Sequence, residues 1–268
     1  MPRPHGGKLV NRLTKASKIE KVKTEALEIP KVSVSHELRL DFENIAFGLY
    51  SPLKGPLTET EFDSVVSKGR LSNDIPWSIP ILLDVTEDEA SKFNVGDSIA
   101  IESNGELFAV VEVDDKYGWD KEFYSTNIYK TIDSEHPGVA KTNRMNPVLV
   151  GGSMEIFNEH PGKFPKYRLK PEETRFLFKE KGWRTVAGFQ TRNAPHMGHE
   201  YVQKTALSFV DGLFINPLIG KKKAGDFTDI AIIESYQALI DNYFLKNAAT
   251  LVTLEMEMRY AGPKEAIH

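Results

Sequence analysis

The segment Gln190–His199, which reads QTRNAPHMGH, decides the fold of the second half of this 268-residue chain. Residues 185–189 (TVAGF) come directly before it and predict a strand, whereas residues 200–209 predict a helix. A strand–loop–helix unit of this kind directs the backbone N–H groups of the helix start into the crevice at the end of the strand. The segment therefore predicts an anion-binding site.

The side chains of the segment favour a polyphosphate as that anion. Arg192 supplies a guanidinium, and His196 and His199 are three residues apart, which on a helix places them about 5–6 Å from each other on one face. Ala194 and Gly198 are small enough to let a ligand approach the backbone. Two histidines at this spacing in isolation would more often form a surface or core pair. Their position behind a strand and an arginine favours a binding site instead.

The elements around the segment alternate between strand and helix. The pattern predicts strands at residues 185–189, 212–216 and 249–254, and helices at residues 200–209 and 229–242. A β-α-β-α-β order implies a parallel sheet with right-handed crossovers. Ligands of such sheets bind at the carboxyl ends of the strands, which is where the segment lies.

The first half of the chain has a different pattern, in which short apolar and β-branched runs alternate with turn residues. Strands are predicted at residues 79–85, 98–101 and 107–113, with a hairpin turn at residues 103–106. These strands predict a small β-barrel with peripheral helices. Residues 151–171 carry Gly151-Gly152 and several prolines, which predicts a linker between the two halves.

Composition narrows the class of protein. A hydrophobic content of 40% with 27% charged residues is ordinary for a globular protein. The net charge of −4 argues against a general nucleic-acid binder, which is usually basic. The absence of cysteine excludes disulfides and thiolate chemistry within these residues. We find no apolar run long enough to span a membrane and no signal-like N-terminus, so we expect a cytoplasmic protein.

The H-x-G-H pattern after a strand resembles the signature of the nucleotidylyltransferase superfamily. The longer string Q-T-R-N-x-P-H-x-x-H-E is similar to the active-site motif of the ATP sulfurylase (sulfate adenylyltransferase) family. Further blocks of the chain resemble the same family: residues 4–10, 41–55, 77–81, 136–139, 216–226 and 258–266. The resemblance implies a PUA-like N-terminal β-barrel domain over residues 1–168. It implies a Rossmann-like adenylyltransferase domain over residues 169–268, incomplete at its C-terminus.

The resemblance also implies roles for individual residues. Gln190 and Arg192 would bind sulfate, and Arg192 can hold an oxyanion through two hydrogen bonds. The catalytic residues would be Thr191, Arg192, Asn193, His196 and His199. The ATP-binding residues would be the same five together with Gln190. The two histidines would stabilise the pyrophosphate leaving group in an in-line attack on the α-phosphate. Sulfate is already ionised, so no general base is needed. The implied cofactor is Mg²⁺ bound with ATP, and no protein metal site is expected.

Two other interpretations of nearby residues stay open. Lys221, Lys222 and Lys223 could be a solvated run, or one of them could face phosphate from the end of the second strand. Asp226 could organise Mg²⁺ or that loop. A zinc site formed by His196, His199 and Glu200 is disfavoured, because the H-x-x-H-E order matches neither common zincin spacing.

The resemblance implies an enzyme that transfers AMP from MgATP to sulfate, giving adenosine 5′-phosphosulfate and pyrophosphate. We expect a homo-oligomer with no nucleic-acid or membrane partner. One alternative is another nucleotidylyltransferase with a phosphorylated acceptor; another is an inactive relative that acts as a binding module. The family's Gly-Arg-Asp-His loop does not occur in these 268 residues, so we expect a truncated chain with negligible turnover on its own.

Overall fold

The computed structural model describes residues 2–220 and 225–268 of the chain. The lysines at 221–223, for which a phosphate-facing role was considered, lie outside the described residues. The described residues form two compact units: residues 4–159 together with 258–268, and residues 160–257 together with the start of the chain up to Arg3. In the described part of the chain, no helix is long and apolar enough to cross a membrane.

The first unit is a β-rich domain with helices around one sheet. Its helices are α1 (Ile19–Glu28), α2 (His36–Ala46), α3 (Glu59–Lys68), α4 (Glu87–Ala90), α5 (Lys121–Ile128) and α6 (Pro137–Arg144). Its strands are β1 (Lys31–Ser33), β2 (Leu83–Val85), β3 (Ser98–Ser103), β4 (Glu106–Gly118) and β5 (Val148–Ile156). The sheet has the order β1-β3-β4-β5-β2, and all its pairs are antiparallel except β1–β3.

The core of this unit lies between the sheet and its helices. Alternate residues of the long strand β4, including Ala109, Val111 and Val113, are buried, as the period of two in a half-buried strand requires. The predicted hairpin of β3 and β4 is confirmed, with Asn104 and Gly105 at positive φ in its turn. The expected barrel is an open, curled sheet in which β1 and β2 are the edges.

The prediction of a linker from residue 151 was wrong for Gly151 and Gly152, which lie inside the strand β5. These glycines permit close backbone approach rather than flexibility. The N–H of Gly152 donates to the carbonyl of Pro56 at 3.0 Å. A Cβ added at Gly152 would lie 1.9 Å from the carbonyl oxygen of Glu112, and one at Gly151 would lie 2.6 Å from the carbonyl oxygen of Leu57.

Gly152→Ala should therefore destabilise the first unit by about 1–3 kcal/mol, since the methyl group has no space and β4 would have to shift. Gly118→Ala is the matched control. Gly118 lies in β4, the strand that pairs with β5, but it has open space around its Cβ position, so its substitution should change stability by less than about 0.5 kcal/mol. Urea unfolding monitored by circular dichroism measures both values. Equal stability of the two variants would contradict this explanation of the strand.

The segment Met258–His268, which contains the helix α10 (Pro263–Ile267), belongs to the first unit rather than continuing the second. An ion pair between the guanidinium of Arg259 and the buried carboxylate of Asp41 anchors it, and the Tyr50 hydroxyl donates to the same carboxylate at 3.2 Å. The ring of His268 packs against Tyr50. Burial, followed by the nearby charge of Arg259, lowers the pKa of His268 to about 4. The proposed domain boundary at residue 168 remains a prediction.

The second unit is an α/β domain with a parallel sheet, as predicted. Its elements are α7 (Pro171–Glu180), β6 (Val186–Thr191), α8 (Met197–Leu207), β7 (Gly212–Ile219), α9 (Asp229–Tyr243), β8 (Ala249–Leu251) and β9 (Leu254–Glu255). The sheet order is β6-β7-β8, and β9 also pairs in parallel with β7. Two consecutive right-handed crossovers in one direction place α8 and α9 on the same face of this sheet.

Candidate functional site

The candidate site is the turn from β6 into α8. The strand ends at Thr191 and the helix begins at Met197, so the loop between them emerges from the carboxyl end of a parallel strand. Gln190 and Thr191 pair in register with Asn216 and Pro217 of the neighbouring strand β7. This is the edge at which parallel α/β sheets bind their ligands.

The first half of the turn is fixed by Thr191. Its side chain is 7% exposed, and its hydroxyl accepts a hydrogen bond from the backbone N–H of Asn193 at 3.2 Å. This bond reverses the chain immediately after the strand. The side chains of Gln190 and Asn193 are exposed, and Arg192 is half-buried. Across residues 2–220 and 225–268, the guanidinium of Arg192 forms no hydrogen bond or ion pair, so its donors remain available to an anion.

The second half of the turn is fixed by His196, the N-cap of α8. Its Nδ1 accepts a hydrogen bond from the N–H of Gly198 at 3.1 Å. A nitrogen that accepts carries no proton, so the neutral ring of His196 has its N–H at Nε2. A Cβ at residue 198 would lie 2.9 Å from Cε1 of the same ring, which explains why glycine occupies that position.

The two histidines of the segment lie together. The ring centroids of His196 and His199 are 4.0 Å apart with an interplanar angle of 29°, so the rings are stacked. Phe189 packs edge-on against His199 with a centroid separation of 5.6 Å. The start of an 11-residue helix adds partial positive charge at the same point. The exposed imidazole of His196 and the half-buried imidazole of His199 at a helix start, beside an arginine, make an arrangement suited to a multiply charged anion.

The pKa of His199 is lowered from its ordinary value. Burial is the main cause and the neighbouring His196 is the second, whereas the Ala194 carbonyl beside the ring opposes them. His199 is therefore neutral at pH 7 and acts as a hydrogen-bond donor rather than as a fixed cation. Between its lowered pKa and the ordinary 6.5, the unfolded chain binds more protons than the folded one, so this group's contribution to stability rises with pH.

The structure also places the neighbouring residues considered in the sequence. Glu200 forms an ion pair with Lys204 one turn along α8, with its carboxylate oxygen 2.5 Å from Nζ. That carboxylate is therefore engaged along the helix rather than with the histidines, which weakens the zinc interpretation. Asp226 is among the described residues and has interactions of its own. Sequence reasoning missed Gln203 and Tyr236, two fully buried polar residues on α8 and α9.

The second unit is thus an α/β domain whose candidate anion site lies at the carboxyl end of a strand of its parallel sheet. Comparison with protein families agrees: residues 2–159 match the PUA-like domain, and residues 165–268 match ATP-sulfurylase. The sulfate adenylyltransferase of Thermococcus onnurineus is 53% identical over 99% of this chain and 69% of its own length. That of Hyperthermus butylicus is 50% identical over 99% of this chain and 68% of its own length.

These matches show that the chain belongs to the sulfate adenylyltransferase family, a family of nucleotidyltransferase enzymes. A solved structure described as a hexameric APS kinase from Thiobacillus denitrificans supports the fold. It superposes with a TM-score of 0.77 over 99% of this chain and 49% of that chain, at 24% identity. The predicted family membership and the PUA-like and α/β domains are therefore confirmed. The individual site residues stay predictions.

His196→Asn should raise the pKa of His199, because it removes the neighbouring group that disfavours a second positive charge. The pKa of His199 in the unmodified chain should lie below 6.5. An NMR titration of the imidazole resonances measures both values. His36→Asn, in the other unit, is the control and should leave the titration of His199 unchanged. A His199 that titrates identically with and without His196 would show that the stacked pair does not form.

Proposed function

We propose that this protein transfers the adenylyl group of MgATP to sulfate, with adenosine 5′-phosphosulfate and pyrophosphate as products. One observation carries the proposal: the stacked imidazoles of His196 and His199 stand at the start of α8, beside an arginine without an intramolecular partner among the described residues. Family membership supports the choice of sulfate over other acceptors. The Rossmann-like nucleotidyltransferase character of the second unit is part of the proposal.

The reaction joins two anions, so the protein has to neutralise charge and align the reactants. Arg192 and Gln190 hold sulfate, since a guanidinium binds a tetrahedral oxyanion through two parallel donors. Thr191 and Asn193 support the phosphates of ATP. A sulfate oxygen then attacks the α-phosphorus in line with the departing pyrophosphate, and the P–O bond to pyrophosphate breaks as the new one forms. Sulfate enters already deprotonated, so no proton has to be removed.

The two histidines act on the leaving group. Charge grows on the pyrophosphate oxygens as the bond breaks, and donors that are already in place stabilise it without reorganisation. The N–H at Nε2 of His196 is oriented for this role because its Nδ1 is occupied by Gly198. Mg²⁺ enters with ATP as part of the substrate. The cytoplasmic location, the homo-oligomeric state and the low turnover expected of residues 1–268 alone stay predictions.

Arg192→Ala should abolish sulfate-dependent pyrophosphate release in the intact enzyme while the fold survives, because the side chain is half-buried and takes no part in the core. The loss should be worth about 2–5 kcal/mol of binding or transition-state energy. Arg184→Ala is the control: Arg184 is exposed and precedes the opposite end of β6.

Pyrophosphate release in the presence and absence of sulfate gives the result. Sulfate dependence that persists in Arg192→Ala would remove Arg192 from the sulfate site. Release that depends on a phosphorylated acceptor instead of sulfate would favour the alternative of another nucleotidylyltransferase.

His199→Asn should slow turnover more than it weakens MgATP binding, because an interaction that strengthens in the transition state acts on kcat. The loss of one hydrogen bond to a charged group corresponds to about 1.5–3 kcal/mol, or roughly 10- to 100-fold in kcat. Steady-state kinetics and calorimetric MgATP binding separate the two effects. A variant with normal kcat and much weaker MgATP binding would assign His199 to ground-state binding instead.

A further inference from the structure

Beneath the segment Gln190–His199, several polar atoms are buried at one place. Gln203 on α8 and Tyr236 on α9 are both 0% exposed. Among residues 2–220 and 225–268, neither amide atom of Gln203 nor the hydroxyl of Tyr236 forms a direct hydrogen bond, and Nδ1 of His199 is also buried without one. A buried polar group that stays without a hydrogen bond destabilises the fold. Four of them together call for a common explanation.

These groups are neighbours. His199 and Gln203 are four residues apart on α8 and therefore share one face of the helix. The oxygen of Tyr236 faces the side chains of Thr191 and Gln203. Burial, the largest effect, raises the pKa of Tyr236, whereas these two polar neighbours lower it. The hydroxyl of Thr191 is 3.4 Å from the carbonyl oxygen of Asn193, which is long for an O–H···O bond. Its hydrogen is thus available to Tyr236.

The donors and acceptors of the four side chains are complementary. A phenol donates one hydrogen and accepts another, and a carboxamide offers one acceptor oxygen and two N–H donors. The Thr191 hydroxyl can donate to the Tyr236 oxygen, and the Tyr236 hydroxyl can donate to Oε1 of Gln203. Nε2 of Gln203 then has an N–H left for Nδ1 of His199. This sequence of bonds satisfies every one of the buried groups and leaves the proton of the His199 ring on Nε2.

We propose that Gln203 is a positioning residue for His199: its amide donates to Nδ1, supported by Tyr236 and Thr191, and so turns the Nε2–H of His199 towards the phosphates of the nucleotide. The phosphate ligand rests on the proposed function, whereas the state of the ring does not. Gly198 imposes the same tautomer on His196 through a backbone N–H. The two stacked rings would then present two neighbouring N–H donors to one polyphosphate.

The carbonyl of Ala194 competes with the Gln203 amide for an interaction with the His199 ring. The carbonyl of Ala194 lies beside the His199 ring and favours a proton on the ring. As the ring stands, Nδ1 has no hydrogen-bond partner among the described residues. Without the amide of Gln203, Nδ1 is expected to take the proton and to turn towards that carbonyl. Nε2 would then turn a lone pair, rather than an N–H, towards the negatively charged phosphates. Gln203 therefore decides whether His199 attracts or repels the leaving group.

The test is the tautomer of His199, read from the ring ¹⁵N shifts of the ¹⁵N-histidine-labelled 268-residue chain and assigned with His199→Asn. The unmodified chain should show a protonated Nε2 and an unprotonated Nδ1. Gln203→Met, which keeps the length of the side chain but removes its polar atoms, should move the proton to Nδ1. Tyr236→Phe should give a mixture of the two tautomers, because the amide loses the hydroxyl that orients it. Gln237→Met on α9 is the matched control and should change neither nitrogen.

A His199 that carries its proton on Nδ1 in the unmodified chain would overturn the proposal, even if Gln203→Met failed to fold. So would a folded Gln203→Met chain with an unchanged tautomer. Calorimetric titration with MgATP and with inorganic pyrophosphate should show affinity about tenfold lower, or more, in Gln203→Met and an unchanged affinity in Gln237→Met. If the unmodified chain binds neither ligand, the proposed function fails, while the ring tautomer still decides whether Gln203 holds His199.

Discussion

The arrangement of this site depends on one constraint: the parallel strand β6 has to turn into the helix α8 within five residues. Thr191 closes the first part of that turn by accepting from Asn193, and His196 closes the second by accepting from Gly198. Both bonds use side-chain acceptors, so the remaining N–H groups of the helix start stay directed at the crevice. The same residues that satisfy the backbone therefore shape the candidate anion site.

The electrostatics of the turn follow from that geometry. Because His196 accepts with Nδ1 and the pKa of His199 is lowered, the two stacked rings avoid the repulsion that two imidazolium cations 4.0 Å apart would suffer. Permanent positive charge comes instead from Arg192 and from the dipole of α8. In the proposed reaction, the neutral histidines would donate to the leaving group and the fixed cation Arg192 would bind the acceptor, an arrangement suited to transfer between two anions.

Sequence periodicity predicted the secondary structure correctly where the local preference of a segment agrees with its tertiary contacts. The alternation from residue 185 onwards predicted the parallel sheet, and the motif located the turn and its two histidines. Sequence-based prediction failed where a residue's role depends on a neighbour that is distant in the chain. Gly151 and Gly152 carry the composition of a linker, yet they form the middle of β5 because another backbone passes within contact of them.

Two further features were not indicated by the sequence, because each of them also depends on contacts between residues that are distant in the chain. Met258–His268 lies with the first unit because Arg259 pairs with Asp41, which is more than two hundred positions away in the chain. Gln203 and Tyr236 belong to unremarkable helical patterns, and their importance emerges only when α8 and α9 meet on one face of the sheet. Local pattern identifies the turn, whereas tertiary packing determines what lies behind it.

The central claim is that the turn from β6 into α8 holds the phosphates of a nucleotide. A crystal structure of the protein with MgATP tests it most directly. β- or γ-phosphate oxygens should lie about 2.7–3.1 Å from Nε2 of both His196 and His199, with the guanidinium of Arg192 facing the α-phosphate side. A nucleotide whose phosphates bind elsewhere, with both imidazoles free of contact, would contradict it.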